Sequence, residues 1–385
     1  MRRLHAIIAV VTGLLVLAPT IKACTWSYVL WAIRQQPADP LFRFVQDGKT
    51  GYIDSRGKIV IPPILPLSGN FGGEFHEGLL GVRYSDGYRY VDRSGSTVFT
   101  AKAWLAFDFS EGLAPASLHT SAAQGWGFID RTGAYAIEPK YHGVNHFSDG
   151  LALVQVSSEV NTTGYIDHTG EFVIPAKLSY ASDFHEGLAA AIIDGPCQIV
   201  NGGSCGRAEF RPAKRNGTYD CRYSFIDKTG KPISELRFDD AKDFSEGFAP
   251  VRIDSRWGFV NRSGRIAIEP QFDSAESFSE GLALVSQSGR FGFIDRKGSF
   301  VIPAHFRSAE SFSDGRAVVS TNAGAYYFID KNGKRAFEDD FAYAESFSYG
   351  LAAVALGNKL AAKKLAWIDT SGKIVFRFDA QGPRR

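Results

Sequence analysis

Apolar and polar positions along this chain follow a pattern that restarts every few dozen residues. Its clearest copy reads FSEGLALVSQSGRFGFIDRKG, from Phe278 to Gly298. In the second half of that copy an aromatic and an aliphatic residue, Phe293 and Ile294, precede Asp295, and Gly298 follows three residues later. The same arrangement recurs nine times, at Asp54–Gly57, Asp92–Gly95, Asp130–Gly133, Asp167–Gly170, Asp227–Gly230, Asn261–Gly264, Asp295–Gly298, Asp330–Gly333 and Asp369–Gly372. Asp can accept a hydrogen bond from its own backbone two residues on, and Gly supplies the positive φ that closes a hairpin loop. Each copy is therefore expected to be a β-hairpin. Successive strand side chains point to opposite faces. Phe293 and Ile294 are both apolar, so the strand has to be covered on both faces, which calls for stacked sheets.

The first half of the pattern, Phe-Ser/His-Glu/Asp-Gly-Leu-Ala, begins at Phe75, Phe109, Phe147, Phe184, Phe244, Phe278, Phe312 and Phe347. An Ala-Leu-Val type of run follows and reads as another strand. A further strand follows the hairpin Gly, as in Phe300-Val301-Ile302. Pro62, Pro139, Pro175, Pro270 and Pro303 are expected to end it. Pro cannot donate to a ladder, so this strand should lie at a sheet edge. Gly two before the aliphatic, as in Trp126-Gly127 and Trp257-Gly258, marks close approach of a neighbour. Arg89, Ser224, Tyr327 and Ala366 replace that Gly, and packing is expected to loosen there.

Successive hairpin Asp or Asn residues are separated by 38, 38, 37, 60, 34, 34, 35 and 39 positions. A period in this range signals a repeat array. The pattern resembles the WG-repeat (KWG-repeat) family of bacterial proteins, from about Phe44 to about Phe378. The resemblance implies a repeat type and no single activity. The fold expected is all-β. Each unit supplies a short inner segment and three strands, which is the make-up of a small propeller blade. The hairpin pattern also resembles blades of quinone-dependent dehydrogenase propellers. A β-propeller-like array of eight or nine units is favoured over an open β-solenoid, because closure removes unpaired edges. The first unit lacks a clear inner segment, so closure is the step most exposed to test.

Residues 1–23 have the layout of a signal peptide: a basic start, an apolar run of 13 residues from Ala6 to Ala18, then Pro19 and the small Ala23. The rival is an uncleaved anchor, since residues 26–33 are apolar again; Lys22 argues against it. Ile21-Lys22-Ala23-Cys24 also brings a lipid anchor at Cys24 into consideration. Residues 24–43 form a lead-in, 44–378 the repeat domain, and 379–385 a disordered tail. The expected location is the periplasm, cell envelope or exterior.

The long spacing of 60 falls where residues 194–222 enlarge one hairpin loop. This insert carries Cys197, Cys205 and Cys221. Export makes them disulfide candidates. Cys197 and Cys221 flank the insert and could clamp its base, leaving Cys205 to pair with Cys24 or stay free. A zinc site is the alternative, but no Cys-x-x-Cys pair occurs.

Composition narrows the function. The formal net charge is +2, and loss of the leader removes Arg2, Arg3 and Lys22. A near-neutral chain has no electrostatic footprint for nucleic acid. The repeated acids Glu77, Glu111, Asp149, Glu186, Glu246, Glu280 and Asp314 could ring a channel and bind cations. The simpler reading is that each fixes its own turn through local hydrogen bonds. His76, His146 and His185 sit at or beside turns and read as surface or packing residues. No catalytic, phosphate-binding or calcium-loop motif is present, and no cofactor is expected. The function expected is a non-enzymatic exported scaffold binding a protein or glycan. The alternatives are a propeller-type carbohydrate-active enzyme and a structural spacer. The enzyme would need acids or histidines in non-repeated positions to converge at the channel.

Overall fold

The computed structural model describes residues 40–67, 73–85, 87–118, 125–157, 162–193, 197–201, 209–212, 221–320, 324–356 and 364–379. Every regular element among them is a β-strand. Nine antiparallel sheets follow one another along the chain, and a two-stranded hairpin branches from the fifth. Numbered in order, the blades span residues 42–66, 80–101, 105–141, 143–178, 180–227, 240–272, 274–306, 308–329 and 343–379.

Blade 7 shows the full unit. Its strands are Ser274–Ala275, Ala283–Gln287, Arg290–Ile294 and Phe300–Phe306, paired in that order. Between the first two strands Ser279 and Leu282 bridge around Glu280 and Gly281, whose φ angles are 54° and 86°. Both residues are left-handed, as the type I′ turn of a two-residue hairpin requires. The third and fourth strands are joined by the Asp turn. Gly298 N–H donates to Asp295 O, and Asp295 N–H donates to Ser299 O. The Asp295 carboxylate accepts from Lys297 and Ser299 N–H, each at 2.9 Å. This is the hairpin chemistry expected for every copy, and Asp54, Asp130, Asp167, Asp227, Asp330 and Asp369 repeat it. The Thr132, Thr169 and Thr229 hydroxyls, helped by the turn N–H groups, hold Asp130, Asp167 and Asp227 below the usual carboxylate range.

Phe293 and Ile294 are both fully buried, and they face different neighbours. Phe293 packs with blade 8 residues such as Phe312 and Val319, and Ile294 packs with blade 6 residues such as Trp257 and Phe259. Burying one such Phe contributes roughly 2–3 kcal/mol. The doubly apolar strand is thus covered on both sides by adjacent blades.

There are nine interblade cores for nine blades, and the ninth decides the architecture. It joins Phe42, Phe44 and Ile53 of blade 1 to Leu351, Ala355, Leu365 and Phe378 of blade 9. An open array of nine units would have eight interfaces. The ring is closed, as a nine-bladed β-propeller, and the solenoid alternative falls.

The prolines need a correction. Pro139, Pro175, Pro270 and Pro303 lie inside the fourth strand instead of ending it, as does Pro62 in blade 1. They sit where the ladder shifts register, and this strand is indeed the sheet edge. The bulge swings fourth-strand backbone over the third-strand Gly. A Cβ on Gly127, Gly258 or Gly292 would meet the carbonyl oxygen of Ile137, Ile268 or Ile302 at 2.3, 2.5 and 2.6 Å. Where that Gly is replaced, the double shift is gone. Opposite Arg89 and Ala366 the fourth strand runs with a single shift. Opposite Ser224 and Tyr327 the fourth strand is reduced to isolated bridges. The fourth-strand ladder is therefore interrupted in blades 5 and 8 and continuous in blades 2 and 9.

Candidate functional site

The two ends of the ring differ. One end carries the turns between first and second strands together with the Asp turns. The other carries the connections between second and third strands, including the insert, because strand direction alternates.

At the first end, each turn acid reaches the next blade. Gly281 N–H donates to Glu246 at 3.0 Å, and Gly315 N–H donates to Glu280 at the same distance. Glu77, Glu111, Asp149, Glu186 and Asp314 do the same for Gly112, Gly150, Gly187, Gly247 and Gly350. The acids therefore do not act through local bonds, as the sequence reading had it; they link turn to turn. Cations from the next blade's Asp turn complete the arrangement. Arg131 meets Glu77 and Arg296 meets Glu246, both at 2.8 Å, and Lys331 meets Glu280 at 3.2 Å. Direct bonds between equivalent turns require them to lie at small radius, near the axis. The belt is a structural clasp, in which a neighbouring cation offsets the charge of Glu77, Glu186, Glu246 and Glu280.

Next to the belt, the residue just before the first-strand Phe varies from blade to blade. It is Glu74, Asp108, His146, Asp183 and Asp243 in blades 2–6, and Ser277, Ser311 and Ser346 in blades 7–9. His76 Nε2 lies 3.5 Å from Asp108 Oδ2, and His185 Nε2 lies 3.6 Å from Asp243 Oδ2. Asn145 Nδ2 donates to Asp183 Oδ1 at 2.9 Å. Glu74, Asp108 and Asp183 are reached by solvent yet surrounded by protein, as expected of side chains lining a narrow channel. Enclosure raises all three carboxyls, Asp183 to about 6. It drives the His146 imidazole down to about 4, so His146 is neutral at pH 7. A carboxyl raised by enclosure in a cleft, as Asp183 is, marks a candidate site for chemistry.

This one-sided strip was missed in the sequence. The turn acids and His76, His146 and His185 drew attention, and the position before Phe did not. Its signal was variation: a Ser that becomes acid or His in consecutive repeats of an otherwise uniform motif. Among the described residues, no three His, Cys, Asp or Glu side chains are grouped to hold a metal ion.

At the opposite end, the insert leaves blade 5 between Leu188–Ile192 and Ser224–Asp227. It contains the hairpin Cys197–Asn201 with Glu209–Pro212. Cys197 and Cys221 form a disulfide across 24 positions, clamping the base as expected and leaving neither sulfur for zinc. Cys24 and Cys205 lie outside the described residues. A disulfide suits an oxidising compartment.

The profile described as "WG containing repeat" matches residues 51–88, 126–158, 164–195, 223–257, 257–290, 291–323 and 328–359. The chain belongs to the WG-repeat family. No curated protein matches this WG-repeat chain in sequence. Among solved structures it is similar to one titled as the eukaryotic initiation factor. That match has 13% identity and a TM-score of 0.62, covering 89% of this chain and 96% of the other. It is also similar to BamB from Moraxella catarrhalis, at 12% identity and a TM-score of 0.40, covering 77% of this chain and 93% of BamB. At such identities a likeness speaks for fold alone, and only the first is close enough to bear on it.

Proposed function

We propose that this WG-repeat protein is an exported, non-enzymatic scaffold that binds a protein or glycan partner. The observation that carries the reading is the disulfide-clamped insert, standing at the opposite end of the ring from the belt of turn acids. Loops held by a rigid scaffold are where recognition concentrates. The remaining blades are spent on packing against each other. The leader-like residues 1–23 and the disulfide both suit a location outside the cytoplasm. The spacer alternative asked for an open array, and the closed ring takes that support away.

A partner capture experiment tests the proposal, comparing the exported protein with a form lacking residues 194–222. The scaffold reading expects specific partners to be lost with the insert. Identical partners for both forms would remove the insert from recognition.

The enzyme reading keeps one specific observation in its favour, the strip of Glu74, Asp108, Asp183 and Asp243 with His76 and His185. Hydrolysis of a polysaccharide panel by the parent, abolished in both Asp183→Asn and Asp243→Asn, would replace the scaffold reading.

A further inference from the structure

Eight of the nine interblade cores share one aromatic pair. The third-strand aromatic of one blade packs on the first-strand Phe of the next: Tyr52 on Phe75, Tyr90 on Phe109, Phe128 on Phe147, Tyr165 on Phe184, Phe225 on Phe244, Phe259 on Phe278, Phe293 on Phe312 and Phe328 on Phe347. Centroid distances stay between 4.7 and 5.1 Å. Those eight third-strand aromatics are each 2% exposed or less. The ninth, Trp367 of blade 9, faces blade 1 and remains partly open. It touches Phe42 instead, at 5.2 Å.

Blade 1 is also the one blade in which neither the second strand, Phe42–Gln46, nor the residue before it pairs with a preceding segment among the described residues. In every other blade that strand has at least a bridge to a preceding segment. The turn explains the difference. Pro40 precedes Leu41 where Gly281 precedes Leu282. Gly281 has φ 86°, and the Pro ring fixes φ near −65°, so the two-residue turn cannot form. A first strand for blade 1 has to arrive through a longer loop.

We propose that residues 26–33 of this same chain, which lie outside the described residues, supply that strand. They would pair with the free edge of Phe42–Gln46 and set an aromatic side chain against Trp367. The segment reads WSYVLWAI, eight residues of aromatic, aliphatic and β-branched character with no charge. That composition suits a strand. The first-strand segment of blade 7, from Ser274 to the bridge at Ser279, needs only six residues. Residues 34–39, RQQPAD, give a loop of six in place of the turn. Attachment to the chain a few residues away gives a high effective concentration at the seam. A cut after Ala23 leaves the segment intact. The inference does not depend on the scaffold reading.

Hydrogen exchange by mass spectrometry tests it on the chain starting at Cys24. The parent is compared with a variant whose residues 26–33 are replaced by Gly-Ser repeats, and with the double variant Tyr28→Ser/Trp31→Ser. The expected result is that the peptide covering Phe42–Gln46 exchanges at least about tenfold faster in the replaced form. The peptide covering Arg256–Asn261 should be unchanged, and a synthetic peptide of residues 25–34 should restore protection. If the replaced form does not fold, the double variant gives the same reading, with a smaller loss. Equal exchange in parent and variants would overturn the proposal. Protection that disappears on dilution, together with a dimer mass, would also overturn it by assigning the edge to a second copy.

Discussion

The indole N–H of Trp367 donates to the carbonyl oxygen of Arg43 at 3.0 Å, joining residues 324 positions apart. Blades 1 and 9 meet there, and among the described residues no strand is shared between them. Closure rests on this bond and on the packing around it. Trp367→Ala removes both and is expected to cost about 3 kcal/mol. Chemical denaturation measures it. Trp367→Phe should lose clearly less, since the ring contact with Phe42 survives.

Glu246 holds a left-handed turn position and spends its carboxylate on Gly281 N–H and Arg296. A left-handed non-Gly residue costs about 1–3 kcal/mol, whichever side chain it carries. A comparison of Ala with Gln at this site therefore isolates the carboxylate. Glu246→Ala should destabilise by about 1–2 kcal/mol, and Glu246→Gln, which keeps an acceptor for Gly281, by less. Equal losses would mean that the turn-to-turn bonds contribute nothing.

Gly292→Ala should be far more damaging than its mirror change in blade 9. The added Cβ meets Ile302 O at 2.6 Å, and a backbone atom cannot swing aside as a flexible side chain can. A loss of about 3 kcal/mol is expected, within the range for strain and overpacking. Ala366→Gly adds only backbone freedom and should cost under about 1 kcal/mol. Thermal unfolding of the two variants side by side makes the comparison.

These contrasts show what the sequence made legible. Asp295 and Gly298 announced their hairpin because turn chemistry is local. Phe293 and Ile294 announced stacked sheets because two apolar faces cannot both be left to water. The link from Glu246 to Gly281 was not visible, since it needs the curvature that brings two turns together. Nor was the bulge at Pro303, which reads as a stop until the Gly292 backbone beneath it is seen. The strip at Asp108 and Asp183 hid for a related reason. A channel gathers one residue from each blade, so its members lie a whole repeat apart in the chain.

Asp183 gives the pH dependence a sign. Its folded pKa is raised from an ordinary 3.8 to about 6, chiefly by burial. The folded state therefore holds a proton that the unfolded chain has released across that window. Stability from this group falls as pH rises from about 4 to 6 and levels off above. Asp183→Asn removes the carboxyl and can still face Asn145. Its melting temperature should gain on the parent as pH rises through the window, with a constant difference above about pH 7. His146, lowered to about 4, contributes the opposite slope: stability is lost as pH falls below its ordinary 6.5. A melting-temperature difference that does not change with pH would contradict the enclosure of Asp183.

Closure of nine blades into a ring is tested most directly by a distance between spin labels. Labels at Arg56 and Ser371 occupy matching positions in the Asp turns of blades 1 and 9, and labels at Ser263 and Lys297 occupy the same position in the adjacent blades 6 and 7. A closed ring predicts the same separation for both pairs, although the first is separated by most of the chain. A first-pair distance several times the second would contradict closure, and the nine-bladed propeller with it.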